Sequence, residues 1–386
     1  NINRHLEIAY KLLTENKAYK CICSENKLSE RRKKINLGKI TSKKICVSCE
    51  KNKEVQSLEK NYVIRIKIPI DGNEILEDVI QGSVQVNNSE IDDYVLVRKD
   101  GTPTYMLSVV VDDHDLGVNF IIRGDDHLNN YFRQKFIYEY MNWKVPNYAH
   151  IPLIHGEDGS KLSKRHGAVN LIDLKEKGYL PDAIINNLIL LGWSPKNQDD
   201  EIIQLDSIIS KFDIKDLSKS ASIFSYKKLD YFNNYYLRQE QNLELFINYC
   251  KSNLDLKKYI EKDEKKLIRI FNIYKKDISK YQEMVNISEI YFNSNFEILE
   301  NEIFDQEFKN CFKNFLDLIN SIKNWEYDVI NSEIKDFLKK NNLKFPILGK
   351  PVRFLLTNNY NGPSITDIFV ILGKDHSIER LKKYKV

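Results

Sequence analysis

The chain is 386 residues long, 42% hydrophobic and 30% charged, with a formal net charge of +4. That length predicts two or three domains, each with its own core, and the mildly basic balance permits a nucleic-acid partner while excluding a polycation. No stretch approaches the roughly 18 uninterrupted apolar residues of a membrane helix, and no secretory hydrophobic segment follows Asn1–His5, so the expected location is the cytoplasm.

Residues 1–19 read as one amphipathic helix carrying Leu6, Ala9, Tyr10, Leu12 and Leu13 and ending near Asn16. Two cysteine pairs follow, Cys21-x-Cys23 and Cys46-x-x-Cys49, with Arg31, Arg32, Lys33, Lys34, Lys39, Lys43 and Lys44 between them. Tetrahedral zinc needs four soft ligands brought together by two tight knuckles, and this spacing supplies them. The alternative is four reduced cysteines in a small mixed subdomain; the basic run is either a solvated face or a contact for a phosphate backbone. The remaining cysteines, Cys250 and Cys311, sit in helical patterns, which argues against a secreted disulfide framework.

From Tyr62 the period becomes two. Ile64, Ile66, Ile68 and Ile70 alternate with Arg65, Lys67 and Pro69, predicting a half-buried strand, and a further strand region over 75–86 breaks at Gly82. Asp100-Gly101 marks a turn, and the apolar run Thr104–Val111 predicts a strand buried on both faces and stopping at Asp112-Asp113-His114-Asp115. Phe120-Ile121-Ile122 predicts another strand, stopping at Arg123-Gly124-Asp125-Asp126-His127 before a helix with Leu128, Tyr131, Phe132, Phe136, Ile137 and Tyr140 on one face. Polar clusters at the carboxyl ends of buried strands are where open α/β sheets place ligands. Arg123 offers a planar fork for a carboxylate or phosphate, and Asp125 or Asp126 can cap the helix or hold an ammonium group.

The segment Lys161-Leu162-Ser163-Lys164-Arg165-His166-Gly167 is rich in donors and follows Gly156 and Gly159. It is either a solvated basic turn or a loop that closes over polyphosphate, its lysines stabilising charge that grows as a bond to phosphorus breaks. Pro181 then opens a helix through Leu191. Beyond about residue 235 strand patterns disappear, and helical faces recur at 241–256, 263–276, 280–292, 326–340 and 364–372, with Phe304, Phe308, Phe312, Phe315, Leu316, Ile319 and Ile322 on another.

Several motifs in register then resemble the bacterial glutamyl-tRNA synthetases: Thr102-Pro103-Thr104-Tyr105, Val109–His114, Ile122–His127, Ala149–Ile154, Lys161–Gly167 and Gly178-Tyr179-Leu180-Pro181, with Gly362–Ser364 and Leu372–Lys374 near the end. The resemblance covers essentially the whole chain. It implies a class I Rossmann-type α/β catalytic domain with an α+β insertion, followed by an all-α anticodon-binding domain. The implied division is a catalytic remnant at 1–19, a connective insertion at 20–90, the second catalytic half at 91–160, the lysine loop and stem-contact region at 161–235, and the anticodon domain at 236–386.

It further implies ATP with Mg2+ as substrate, glutamate and tRNA(Glu) as partners, no membrane, and a monomer. Lys161 and Lys164 are the implied catalytic residues, in the loop that resembles the KMSKS signature. Ile154, Lys161, Ser163 and Lys164 are the implied ATP contacts, and Tyr105, Arg123 and Asp126 the glutamate pocket. Cys21, Cys23 and Cys46 match zinc-ligand positions of some members, and Cys49 is added as the fourth ligand from spacing alone. The family's His-x-Gly-His signature is absent from the sequence, so the chain is expected to begin inside the catalytic domain and to bind tRNA without charging it alone. A non-discriminating enzyme that also charges tRNA(Gln), or a tRNA-binding fragment without catalysis, are the competing expectations.

Overall fold

The computed structural model describes all residues except 41–42, 163–169, 196–200, 240–241, 300–303 and 385–386. It falls into two compact units, Asn1–Ser163 with Ile189–Phe224, and Lys164–Leu188 with Ser225–Val386.

In chain order the first unit begins with α1 (Ile2–Thr14), β1 (Ala18–Cys21), α2 (Glu25–Asn36), α3 (Lys53–Gln56), β2 (Val63–Ile66), β3 (Asn73–Asp78), β4 (Gly82–Asn87) and β5 (Val95–Val97). It continues with α4 (Tyr105–Asp115), β6 (Phe120–Gly124), α5 (Leu128–Tyr140), β7 (Asn147–Ile151) and β8 (Ile154–His155). After α6 (Leu171–Glu176) and α7 (Pro181–Ile189), which lie in or border the second unit, come α8 (Leu205–Lys211) and β9 (Ser222–Ile223).

β1, β2 and β5 form an antiparallel sheet in that order, and β4, β3, β7 and β6 form a mixed one. In the second sheet β6 runs parallel to β7 from Phe120↔Asn147 to Gly124↔Ile151, β7 runs parallel to β3 at Asp78↔Tyr148, and β3–β4 is a hairpin. The predicted strand region over 75–86 is therefore a hairpin in the sheet of β6 and β7 and shares no ladder with β1 and β2. A short parallel pair joins β8 to β9.

The run from Thr104 to Val111 is a helix where a strand was predicted. Its buried residues, Leu107, Val110 and Val111, fall at the i, i+3, i+4 spacing of one helix face, while Tyr105 is exposed. A uniformly apolar run hides that period, and a short one is ambiguous between strand and helix. Asp112–Asp115 therefore stand on the last turn of α4, where carboxylates oppose the helix dipole. α1 offsets this: His5 Nε2 lies 2.7 Å from Asp112 Oδ1, and Arg4 Nε donates to Asp115 Oδ2 at 3.0 Å.

The strand predicted from Ile64 to Ile70 is shorter than its alternation. Ile64, Ile66 and Ile68 are buried as expected, but Ile70 is exposed, and Arg65 is buried rather than solvated, its Nη1 donating to the Asp93 carbonyl at 2.8 Å. The Asp100-Gly101 turn forms as predicted, with Gly101 at φ +83°.

The second unit is helical: α9 (Tyr226–Leu237), α10 (Leu243–Ser252), α11 (Leu254–Lys262), α12 (Glu264–Tyr274), α13 (Met284–Phe292), α14 (Gln306–Ser321), α15 (Tyr327–Lys340), α16 (Phe345–Thr357), α17 (Ile365–Leu372) and α18 (Lys374–Lys382). The phenylalanine stripe lies on α14 as read, with Phe308, Phe312, Phe315 and Ile319 buried. Arg380 is buried with no carboxylate partner among the described residues and donates to the carbonyls of Leu356, Ile290 and Asn293, fastening α18 to the ends of α16 and α13. Burial lowers its pKa to about 10, still far above neutrality. No helix among the described residues is long and apolar enough to cross a membrane.

Just past α6 stands Gly178, which has φ +81° and donates its N–H to the Lys175 carbonyl while Tyr179 N reaches back to Leu174. A Cβ there would stand 2.5 Å from the Tyr281 Cβ and 2.9 Å from the Tyr281 backbone nitrogen. Gly178→Ala is therefore expected to combine left-handed strain with overpacking and to lower the unfolding free energy by roughly 2–4 kcal/mol, read from urea denaturation; a loss under about 0.5 kcal/mol would show that neither constraint operates.

Candidate functional site

Arg123, Asp126, Tyr105, Ile154 and Lys161 all belong to the first unit, whose mixed sheet carries Arg123 near the end of β6. Ser163 and Lys164, with the loop through Gly167, lie outside the described residues.

The Arg123 guanidinium is fixed on three sides. Its Nε donates to His150 Nε2 at 3.0 Å, its Nη1 donates to Gln134 Oε1 at 2.9 Å, and its plane lies 5.1 Å from the centroid of the Tyr148 ring. Its Nη2 is buried and has no partner among the described residues, and the same holds for Gln134 Nε2. A buried donor left unsatisfied costs about 1–3 kcal/mol, so these two groups favour a ligand that brings an acceptor. Asp113, on the last turn of α4, also interacts with Arg123: burial raises its carboxyl above the usual range, and the guanidinium opposes that rise.

Asp126 was expected either to cap a helix or to hold an ammonium group. It sits in the 3-10 turn Asp125–His127, caps neither that turn nor α5, and instead pairs with Lys161 Nζ at 2.9 Å. The ammonium holds the Asp126 carboxyl below its usual range. Tyr105, half exposed at the start of α4, faces His127 with ring centroids 6.5 Å apart. The Ile154 carbonyl accepts from Leu162 N at 3.0 Å, and Lys161 bridges to His155, so β8 supports the start of the lysine loop. A half-buried Arg123, whose buried Nη2 has no partner among the described residues, thus accompanies a more exposed set of Tyr105, Asp126, Ile154 and Lys161.

Residues 2–231 match the family described as tRNA synthetases class I (E and Q), catalytic domain, and residues 241–385 match an anticodon binding domain. Glutamate–tRNA ligase 1 of Orientia tsutsugamushi (strain Boryong) is 38% identical over 405 residues, covering 100% of this chain and 82% of that protein. The glutamate–tRNA ligase 1 of Ehrlichia canis (strain Jake) is 37% identical, covering 99% of this chain and 82% of its own length. The chain belongs to the class I tRNA synthetases. Among solved structures, the glutamate-tRNA synthetase from Elizabethkingia anophelis matches with a TM-score of 0.82 at 27% identity, covering 99% of this chain and 82% of that one.

In this synthetase the four spaced cysteines converge. Their sulfurs all lie within 4.8 Å of one another, with Cys23 Sγ 3.6 Å from Cys46 Sγ and 3.5 Å from Cys49 Sγ. A tetrahedral ion with metal–sulfur distances near 2.3 Å spreads its sulfurs to roughly 3.8 Å, so donor type and spread both fit zinc. Burial pushes the Cys23 thiol up to about 11, and the hydrogen bond with Cys21 together with burial pushes Cys46 up to about 12. Arg31, Arg32, Lys33 and Lys34 of the basic run lie on α2, which has no buried residue, whereas Lys44 is half-buried and pairs with Glu50.

Sequence reasoning assigned no role to Asp78, Gln134 or His150, which surround Arg123, nor to Asp93, which holds the cysteine cluster. The available signal was a polar residue on an apolar face: Gln134 sits among Tyr131, Phe132, Phe136 and Ile137 on the buried side of α5. Asp93 is buried; it accepts from the Tyr19 hydroxyl and from the backbone amides of Ile45 and Cys46, while its own carbonyl accepts from Arg65. Asp93→Ala would leave the hydroxyl and both amides without acceptors, so the unfolding free energy is expected to fall by roughly 3 kcal/mol or more in urea denaturation; a fall below about 1 kcal/mol would contradict this account.

Proposed function

We propose that the protein is a glutamate–tRNA ligase, activating glutamate with ATP and passing it to the 3′ end of tRNA(Glu). The observation that carries the reading is the Arg123 guanidinium, immobilised by three neighbours and left with a buried Nη2 amino group that has no partner among the described residues. A planar cation presenting a free donor matches a side-chain carboxylate, and rejects a neutral side chain that cannot balance its charge. The near-full-length similarity to glutamate–tRNA ligases points to the same substrate.

In this reading an oxygen of the glutamate α-carboxylate attacks the α-phosphorus of ATP, the bond to the bridging oxygen of the β-phosphate breaks, and pyrophosphate leaves with that electron pair. The terminal ribose hydroxyl of the tRNA then attacks the activated carbonyl; it gives up its proton and AMP departs. Magnesium accompanies ATP. Lys161 exchanges its Asp126 partner for the departing phosphates, and the exposed pair gives way readily because solvent screens it. Lys164 and Ser163 act with it on ATP beside Ile154, while Tyr105 and Asp126 complete the glutamate pocket. The family resemblance carries with it a monomer working in the cytoplasm.

Cys21, Cys23, Cys46 and Cys49 hold zinc in this reading. When bound, the metal supplies a fixed cross-link between the two cysteine pairs and no chemistry of the reaction.

Binding and charging are read separately, because the sequence lacks the His-x-Gly-His signature. The protein is expected to retain tRNA(Glu) in a filter-binding assay. Wherever glutamylated tRNA is formed from ATP and labelled glutamate, Lys161→Ala is expected to cut the rate about a hundredfold without moving the thermal midpoint. Charging with a different amino acid, or full activity in Lys161→Ala, would overturn the assignment; tRNA(Gln) assayed alongside shows whether the enzyme discriminates. For the metal, reduced protein is expected to contain one zinc per chain and Cys46→Ser none, by elemental analysis. Metal-free wild type with an unchanged melting point in Cys46→Ser would reduce the cluster to packed thiols.

A further inference from the structure

The chain of hydrogen bonds behind Arg123 continues inward. His150, on β7, is fully buried; its Nδ1 lies 2.7 Å from Asp78 Oδ2, and its Nε2 faces Arg123 Nε at 3.0 Å. An arginine Nε–H can only donate, so the His150 Nε2 must offer its lone pair. The ring proton therefore sits on Nδ1 and is donated to Asp78, which makes His150 a neutral ring of one defined tautomer. Asp78 is in turn fixed at the end of β3, where its carboxylate accepts the backbone amides of Ile80 at 3.0 Å, Gln81 at 2.9 Å and His150 at 3.1 Å. The Tyr148 ring stacks parallel to His150 and lies under the guanidinium, closing the side that the hydrogen bonds leave open.

We propose that Asp78 and His150 are positioning residues for substrate recognition: together they lock the Arg123 guanidinium so that Nη2 alone points to the acidic side chain of the amino-acid substrate. The inference rests on the glutamate reading of the site. Without the His150 acceptor, Arg123 keeps Gln134 but loses the contact that fixes its rotation about Nε, and Nη2 swings away from the position where a carboxylate binds. The neutral ring also matters electrostatically. It passes orientation from a buried anion to the guanidinium without bringing the two into contact, so Arg123 keeps its attraction for the incoming carboxylate.

Burial lowers the His150 pKa, with Arg123 acting in the same direction and Asp78 and Asp125 opposing. The ring accordingly takes up its proton only below the ordinary histidine value of about 6.5. As pH falls through the lowered value, the ring protonates, Nε2 loses its lone pair, and the hold on Arg123 fails.

Two substitutions separate the two ends of the ring. His150→Gln places an amide oxygen near the Nε2 position and preserves an acceptor for Arg123; His150→Asn preserves a donor for Asp78 and deletes that acceptor. His150→Asn is expected to raise the KM for glutamate on the order of tenfold to a hundredfold with the KM for ATP unchanged, and His150→Gln to recover most of that loss. Nitrogen NMR of histidine-labelled protein is expected to show Nδ1 protonated and Nε2 unprotonated at neutral pH. A proton on Nε2, an unchanged glutamate KM in folded His150→Asn, or equal losses in both variants with a raised ATP KM would overturn the proposal. If the wild-type protein takes no glutamate, the substrate reading falls and the assigned role with it, while the tautomer still decides whether the ring holds the guanidinium.

Discussion

The buried carboxylate of Asp78 is the constraint on which the catalytic sheet depends. A charge out of water must find donors, and this one finds them in the turn that follows its own strand, in the backbone of β7 and in the His150 ring. Because β7 lies between β3 and β6, satisfying Asp78 fixes the middle strand against one neighbour, and the Arg123–His150 contact fixes it against the other. The ladder between β3 and β7 has a single paired position, Asp78↔Tyr148, so side-chain bonds supplement a sparse backbone pairing. The polar chain that holds the sheet together thus ends on Arg123 Nη2, a donor without a partner among the described residues and the one proposed to meet the substrate.

A second buried carboxylate plays a comparable part in the cysteine region. Asp93 binds the Tyr19 hydroxyl of β1 and the backbone beside Cys46, and its carbonyl takes Arg65 of β2. Long, exposed α2 separates the two cysteine pairs and contributes no buried side chain, so little apolar packing of its own brings the second pair to the first. A polar anchor and four converging sulfurs do that work. In the helical unit the corresponding group is a cation: Arg380 gathers carbonyls at helix ends, where unsatisfied acceptors are unavoidable.

The exposed part of the site follows different physics. Lys161 and Asp126 form a pair with solvent on most sides, which screening makes weak and replaceable. Arg123 is half-buried and held. In the proposed reaction a rigid group would select the substrate beside a loose group that can change partners, because recognition needs fixed geometry, whereas charge that develops on departing phosphate needs a group able to follow it.

Sequence alone determined the elements whose pattern is local. Helices α10, α12, α13, α15 and α17, the phenylalanine stripe of α14, strand β6 with Arg123 at its end, and the pairing of the cysteines by spacing were legible because apolar period, turn residues and motif spacing are written in consecutive positions. Tertiary structure decided the rest. The run through Val111 became a helix because burial selected Leu107, Val110 and Val111, a choice that a uniformly apolar segment does not display. Arg65 went inside because a carbonyl 28 positions away was there to receive it, and Asp126 took Lys161 rather than a helix end. Asp78, Gln134 and His150 acquired their roles only when three strands and a helix were brought together. A buried polar residue is explained by its partner, and the partner's distance in the chain is what the linear pattern does not contain.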